Sequence, residues 1–272
     1  MLIVLTIVVV LAAVQMVILG YEGGIGPLKF LRDWKMSREP GNAAAYHLEN
    51  VPPLEKSPLQ GKTICFLGSS VTNGSASLGI SMADYIGKRN RCVMIKEAVN
   101  GTTLTDQNKF SYVQRLLNNV SAGQHIDILV CQLSTNDASQ GLPLGRIDAS
   151  TEQEDFDRKT ILGAVEYIIA YAQQTWKCRV MFYTGVKYDS GLYQSMVDAL
   201  PALREKWGIG VIDLWNDPEM NAVSPEDYSL YMHDKIHPTQ AGYLKWWVPK
   251  MEEYLYQFVE EKPYVQQKNN LL

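Results

Sequence analysis

The sequence predicts an α/β fold, a parallel sheet covered on both faces by helices. Three observations predict it. From Lys62 onward, short apolar runs alternate with longer segments of helical periodicity, the pattern of repeated strand–helix units. The strand-like runs are apolar almost without interruption, as strands buried on both faces must be. Polar motifs stand directly after several of these runs, where open α/β sheets place their sites.

The elements follow in order. Residues 2–19, "LIVLTIVVVLAAVQMVIL", are apolar apart from Thr6 and Gln15. Eighteen helical residues reach roughly 27 Å, close to the hydrocarbon thickness of a bilayer. No Lys or Arg precedes the run and no small-residue cleavage site follows it, which argues against a signal peptide. The expectation is a single-pass transmembrane anchor over 1–20. A linker or collar over 21–60 is rich in Gly and Pro. Lys29, Arg32, Lys35 and Arg38 all follow the span, so the positive-inside rule would put the rest of the chain in the cytoplasm.

The main domain is expected over 61–262, with a short tail over 263–272. "TICFLG" (63–68) reads as a buried strand and "LGISMADYIGKRN" (78–90) as a helix. "CVMIKEAV" (92–99) is a strand and "KFSYVQRLLNNV" (109–120) a helix. "IDILVCQL" (126–133) is the most apolar strand. Residues 154–176 carry Phe156, Ile161, Val165, Ile168, Ile169 and Ala172 near helical spacing. "CRVMFYT" (178–184) is a fourth strand, 190–207 a helix, "GVIDLW" (210–215) the fifth strand, and about 239–259 the closing helix.

With 272 residues, 46% of them hydrophobic, the chain is long enough for one sizeable core. Its net charge of −4 and lack of a basic stripe exclude a nucleic-acid binder. Cys65, Cys92, Cys131 and Cys178 lie in or at the start of apolar runs without metal-ligand spacing. They read as small buried hydrophobes.

The chemistry concentrates in "HDKIHPTQAGY". Asp234 stands three residues before His237, and Pro238 follows. One turn brings the carboxylate back onto the imidazole. The carboxylate then takes the proton of one ring nitrogen and leaves the other free as a base. A nucleophile candidate lies upstream in "FLGSSVTNG", where Ser69 and Ser70 follow the first strand. "NGTT" (100–103) follows the second strand and "STND" (134–137) the third. Taken singly, Ser70, Gly101, Asn136 and Asp137 are ordinary turn or cap residues. Their places in chain order beyond successive strands favour a site. His233, Asp234 and His237 form the one trio worth weighing for a metal, but Pro238 interrupts a helix there and no further ligand is evident. No metal is expected. Asp213 is an acid in a buried strand, suited to bracing a loop.

These blocks resemble the SGNH/GDSL hydrolase superfamily over about residues 62–260. The family carries a GDS block, a glycine block, a GxND block and a DxxH block. Ser69 stands where the family usually has Asp, and Ser134 where it has Gly. The resemblance implies a flavodoxin-like three-layer α/β/α domain with a five-stranded parallel sheet, and a serine esterase without a cofactor. It selects Ser70 as nucleophile, His237 as acid–base and Asp234 as the carboxylate that orients it. It implies an oxyanion hole from the backbone N–H groups of Ser70 and Gly101 and the side-chain amide of Asn136. Glycine at 101 would remove bulk and let the backbone turn its N–H inward. The implied substrate is a small ester of a sugar, lipid or simple alcohol, and the membrane is the other expected partner, through residues 2–19. The family is often exported, which opposes the charge-based orientation, so the side of the membrane stays open. Two alternatives use the same residues: a membrane-anchored O-acyltransferase passing the acyl group to a sugar hydroxyl, and a non-catalytic binding domain that keeps the fold.

Overall fold

Successive side chains on a strand point to opposite faces, and β1 (Thr63–Gly68) is buried at every position. Such a strand needs cover on both sides. In the computed structural model of the protein, which describes residues 2–18, 26–28 and 30–261, it has that cover. β1 joins β2 (Val93–Ala98), β3 (Ile128–Gln132), β4 (Arg179–Tyr183) and β5 (Gly210–Ile212) in one five-stranded sheet, in the order β2-β1-β3-β4-β5. Every pairing is parallel.

Helices α1 (Leu2–Ile18) and α2 (Phe30–Met36) precede the sheet. Between β1 and β2 come α3 (Ser70–Asn73) and α4 (Met82–Asn90), and between β2 and β3 comes α5 (Tyr112–Asn119). α6 (Thr135–Ser139) and α7 (Ile161–Thr175) precede β4; α8 (Gly191–Asp198) and α9 (Leu200–Trp207) precede β5. α10 (Pro225–Tyr231), α11 (Gln240–Gly242) and α12 (Val248–Glu260) close the chain.

The alternation sorts the core into two layers. Cys65, Leu67, Leu129, Cys131, Val180 and Phe182 pack with α5, α7, α8 and α9. Ile64, Phe66, Val130, Met181 and Ile212 pack on the other face with α4 and α12. Each large side chain buried this way contributes roughly 1.5–3 kcal/mol. The result is the expected three-layer α/β/α arrangement. All five strands run the same way, so their carboxyl ends share one edge. After β1 the chain goes to one side, to β2, and then returns to the other side, to β3. The β1/β3 boundary is therefore the topological switch point, where loops diverge and leave a crevice.

Several boundaries differ from the sequence reading, each for a local reason. α4 begins at Met82 because Leu78 and Gly79 take left-handed φ values of 60° and 81° and Ser81 with Asp84 forms a capping box. α7 begins at Ile161, capped by the Thr160 hydroxyl. The helix expected over 190–207 is two, with Pro201 in the first turn of the second. The closing helix holds a π-helical stretch, Tyr243–Trp247, ahead of Pro249 in the first turn of α12. β5 stops at Ile212, where the Asp213 carboxylate turns onto the backbone N–H of Asn216 at 3.1 Å.

The expectation of a transmembrane helix over 2–19 needs correction. α1 is described over 17 residues, Leu2–Ile18. Among the described residues no helix is long and apolar enough to cross a membrane. The segment read as a collar is described from Gly26, apart from Lys29, and it packs closely. Met36, Asn42, Val51 and Leu59 are buried, and the Asn42 amide donates to the carbonyls of Met36 and Ala76 at 2.9 Å each. The tail over 263–272 lies outside the described residues.

Candidate active site

β1 delivers the nucleophile candidate. Its last residue is Gly68, and a Cβ there would lie 1.7 Å from the Thr72 hydroxyl. Only glycine allows the chain to fold back so tightly. Ser70 is then the first residue of α3, buried, with its backbone N–H in the first helical turn, where no intrahelical carbonyl is available to it.

From the other end of the domain comes the loop after α10. His237 Nε2 lies 2.8 Å from Ser70 Oγ, across 167 residues of chain. His237 Nδ1 lies 2.8 Å from Asp234 Oδ2 and 3.0 Å from Oδ1. Asp234 Oδ1 also accepts from the backbone N–H groups of Ile236 at 2.7 Å and His237 at 2.8 Å. Partial burial pushes the Asp234 carboxyl upward, but the His237 ring and these two N–H groups outweigh it and hold the carboxyl well below the usual carboxylate range. Asp234 thus stays anionic, and Nδ1 is the ring nitrogen that carries the proton. That leaves Nε2 as the lone-pair acceptor facing Ser70.

The oxyanion-hole candidates Gly101 and Asn136 lie in loops joined to each other and to α3 by hydrogen bonds. Gly101 has φ +73° and nothing within 4 Å of where a Cβ would sit. Its requirement for glycine is therefore backbone conformation, and the expected need to remove bulk is not observed. Asn136 Nδ2 donates to the Thr102 carbonyl at 2.9 Å, which ties it to the Gly101 loop. Asn73 Nδ2 donates to Asn100 Oδ1 at 2.9 Å, which ties that loop to α3. Ser134 adopts an ordinary extended conformation and caps α6 by accepting from the Asp137 N–H, so the side chain at this usually glycine position is accommodated without strain.

Three bracing residues were not singled out for these roles in the sequence. Gln132, the last residue of β3, points its Oε1 at the nucleophile turn. It accepts from Ser69 N at 2.9 Å, Thr72 Oγ1 at 2.8 Å and, at longer range, Thr72 N at 3.3 Å. This contact braces the turn whose usual Asp is Ser69 here. The signal was a polar residue at the end of the most apolar strand. Asp137 is fully buried and accepts from Leu104 N at 2.7 Å and Thr105 N at 3.0 Å, pinning the far side of the Gly101 loop. Buried Arg115 donates to the Gly68 carbonyl at 2.7 Å, the Thr102 hydroxyl at 3.3 Å, and the Glu97 carbonyl and carboxylate at 2.9 and 3.0 Å. It lies three residues from Tyr112 and one before Leu116, on the buried side of α5, a position legible from helical spacing.

The remaining candidates lie apart from this point. His233 meets Glu39 at 2.6 Å and His125 meets Asp127 at 3.3 Å. All four cysteines are free; burial raises the thiols of Cys92 and Cys178 to about 11 and that of Cys65 to about 12, which makes them poor nucleophiles.

Comparison with known proteins gives the family and the fold. Among curated proteins none matches the sequence. Among solved structures, a protein from Lactobacillus plantarum is similar, with a TM-score of 0.57 at 18% identity over 74% of this chain and 97% of its own. A lipolytic protein of the G-D-S-L family from Desulfitobacterium hafniense gives 0.54 at 14% identity, over 71% and 99%. A GDSL-like lipase from Bacteroides ovatus gives 0.53 at 16% identity, over 75% and 100%. At these identities the likeness establishes the fold. The GDSL-like lipase/acylhydrolase family model matches residues 66–245, from the nucleophile strand to beyond the DxxH loop, and the chain belongs to that family of ester-bond hydrolases.

Proposed function

We propose that the protein is a serine esterase that cleaves a carboxylic ester through an acyl-enzyme on Ser70. The observation that carries this reading is the unbroken chain of short contacts from Ser70 Oγ through His237 to Asp234, 2.8 Å at each step. A serine hydroxyl is a weak nucleophile until a base takes its proton. In this reading Oγ bonds to the acyl carbon while its proton passes to Nε2, and the carbonyl π electrons move onto oxygen. The N–H groups of Ser70 and Gly101 and the amide of Asn136 stabilise that oxyanion. As it collapses, the bond to the alcohol oxygen breaks and the proton on Nε2 leaves with the alcohol. Water then repeats the sequence, His237 taking its proton, and the acid is released from Ser70. Asp234 holds the ring in the required tautomer and stabilises the imidazolium.

The test is labelling with a fluorophosphonate probe together with turnover of p-nitrophenyl esters. Wild-type protein should be labelled and active, and Ser70→Ala neither. Equal labelling of the two proteins would move the nucleophile elsewhere.

The reading extends to attachment at a membrane. Residues of α1 from Ile7 to Ile18 are apolar apart from Gln15 and exposed, Leu11 to 62%, a surface that favours lipid over water. Fractionation of cells producing the full chain should place it with membranes, whereas a chain beginning at Gly26 should not sediment with them.

A further inference from the structure

Among the described residues a cavity is lined by chain neighbours of the candidate triad, and its size limits what can enter. It is bounded by Val71, Thr135 and Ile236, which are the chain neighbours of Ser70, Asn136 and His237. Gln132, Tyr183, Gly185, Val186, Tyr188, Tyr193 and Lys235 complete its wall, which is mainly apolar. The free space inside is about 10 Å³, roughly what one water-sized sphere needs. A methyl group is of that size; a propyl chain is not.

The wall cannot easily yield. Tyr183 shares a 2.6 Å hydrogen bond with Thr72. Tyr193, behind it, donates to the Leu133 carbonyl at 3.1 Å and accepts from Gly185 N at 2.9 Å. Tyr188 is wedged against Tyr193 and Trp215, with ring centres 5.3 and 5.2 Å away. Side chains held in this way do not change rotamer cheaply, and forcing extra methylenes into such a site is resisted.

From this we infer that the pocket receives the acyl methyl group, so that the substrates are acetyl esters, with the alcohol portion lying on the open side of Ser70. The inference rests on the esterase reading above and assigns its substrate class. Ser70 Oγ bonds to the acetyl carbon, the alcohol leaves with the proton from His237, and water releases acetate. Each methylene that an apolar pocket must reject changes kcat/KM by about 10–200-fold.

The test compares p-nitrophenyl acetate, propionate and butyrate, and then the isomers propyl acetate and methyl butyrate, with wild type and Ser70→Ala. Expected is Ser70-dependent turnover falling about 10-fold or more per added carbon, with propyl acetate strongly preferred over methyl butyrate. Val186→Ala, which widens the wall away from the triad, should raise propionate relative to acetate by about 10-fold. Ser70-dependent turnover that is flat or rises toward butyrate, or that prefers methyl butyrate, overturns the acetyl assignment and leaves the esterase reading intact. Absence of Ser70-dependent turnover and of fluorophosphonate labelling overturns both.

Discussion

Gln132 offers the sharpest test of how the nucleophile is held. Gln132→Leu keeps roughly the side-chain volume and removes the acceptor. The Oε1 it removes serves the N–H of Ser69 at 2.9 Å and, at longer range, that of Thr72 at 3.3 Å. The Thr72 hydroxyl retains Tyr183 as a partner at 2.6 Å. Ser69 and Thr72 are fully buried, so water cannot replace the lost acceptor. An orphaned buried donor costs about 1–3 kcal/mol; one well-made bond and one long one together suggest about 2–4 kcal/mol. That is less than the 5–15 kcal/mol total of a typical domain, so the variant folds, with a melting temperature lower by about 5–15 °C. The Gln132 orientation is fixed by chemistry, since a flipped amide would aim N–H at N–H.

Activity separates positioning from bulk stability. Released from Gln132, the turn that carries Ser70 shifts relative to His237, and a displacement near 1 Å costs on the order of 100-fold. The assay is kcat/KM at 20 °C, well below the variant's melting temperature, with calorimetry on the same sample. The reasoning predicts a kcat loss of roughly 100-fold with KM little changed. A lower melting temperature with kcat within twofold of wild type would refute it and reduce Gln132 to a stabilising contact.

Two further outcomes are expected. Asn136→Ala should lower kcat by about 10²–10³-fold, the usual effect of one lost oxyanion donor, while its single partly buried bond to Thr102 limits the stability loss to about 1 kcal/mol; steady-state kinetics and urea titration check both. Asp234→Asn should lower kcat by about 10⁴-fold through the wrong imidazole tautomer. Because the Asp234 carboxyl is held below its ordinary value, its contribution to stability is present in full above the unfolded value near 3.9. It is lost as pH falls further, so the stability gap between wild type and Asp234→Asn, followed by urea titration, should hold from neutrality to about pH 4 and close only in stronger acid.

How much of this was written in the sequence depends on how local the signal is. The sheet was legible because strand burial on both faces leaves continuous apolar runs such as "TICFLG", and the five-stranded α/β/α reading stands. Helix ends were less so: the break between α8 and α9 and the late start of α4 depend on one proline and two left-handed residues. The first helix was read from its apolar run and length, and among the described residues no helix is long and apolar enough to cross a membrane. Within the site, groups with chemistry of their own were readable from motif and spacing. The braces were not, because Gln132, Asp137 and Arg115 act through partners that are 13 or more residues away or that are backbone atoms.

That asymmetry has a physical cause. A nucleophile or base must be a particular residue type, so it leaves a motif. A brace need only satisfy a donor or acceptor that the fold has already buried, and several side chains reaching from several strands would serve. Ser69 in place of the usual Asp illustrates the freedom: the first-block side chain changed, and the turn is held instead from β3 by a carboxamide oxygen. The requirement is an acceptor at the Ser69 and Thr72 N–H groups, wherever it originates. On this argument Gln132, two positions before the third block, and Ser69, the second position of the first block, are coupled, and neither residue can be judged for its effect on the nucleophile without the other.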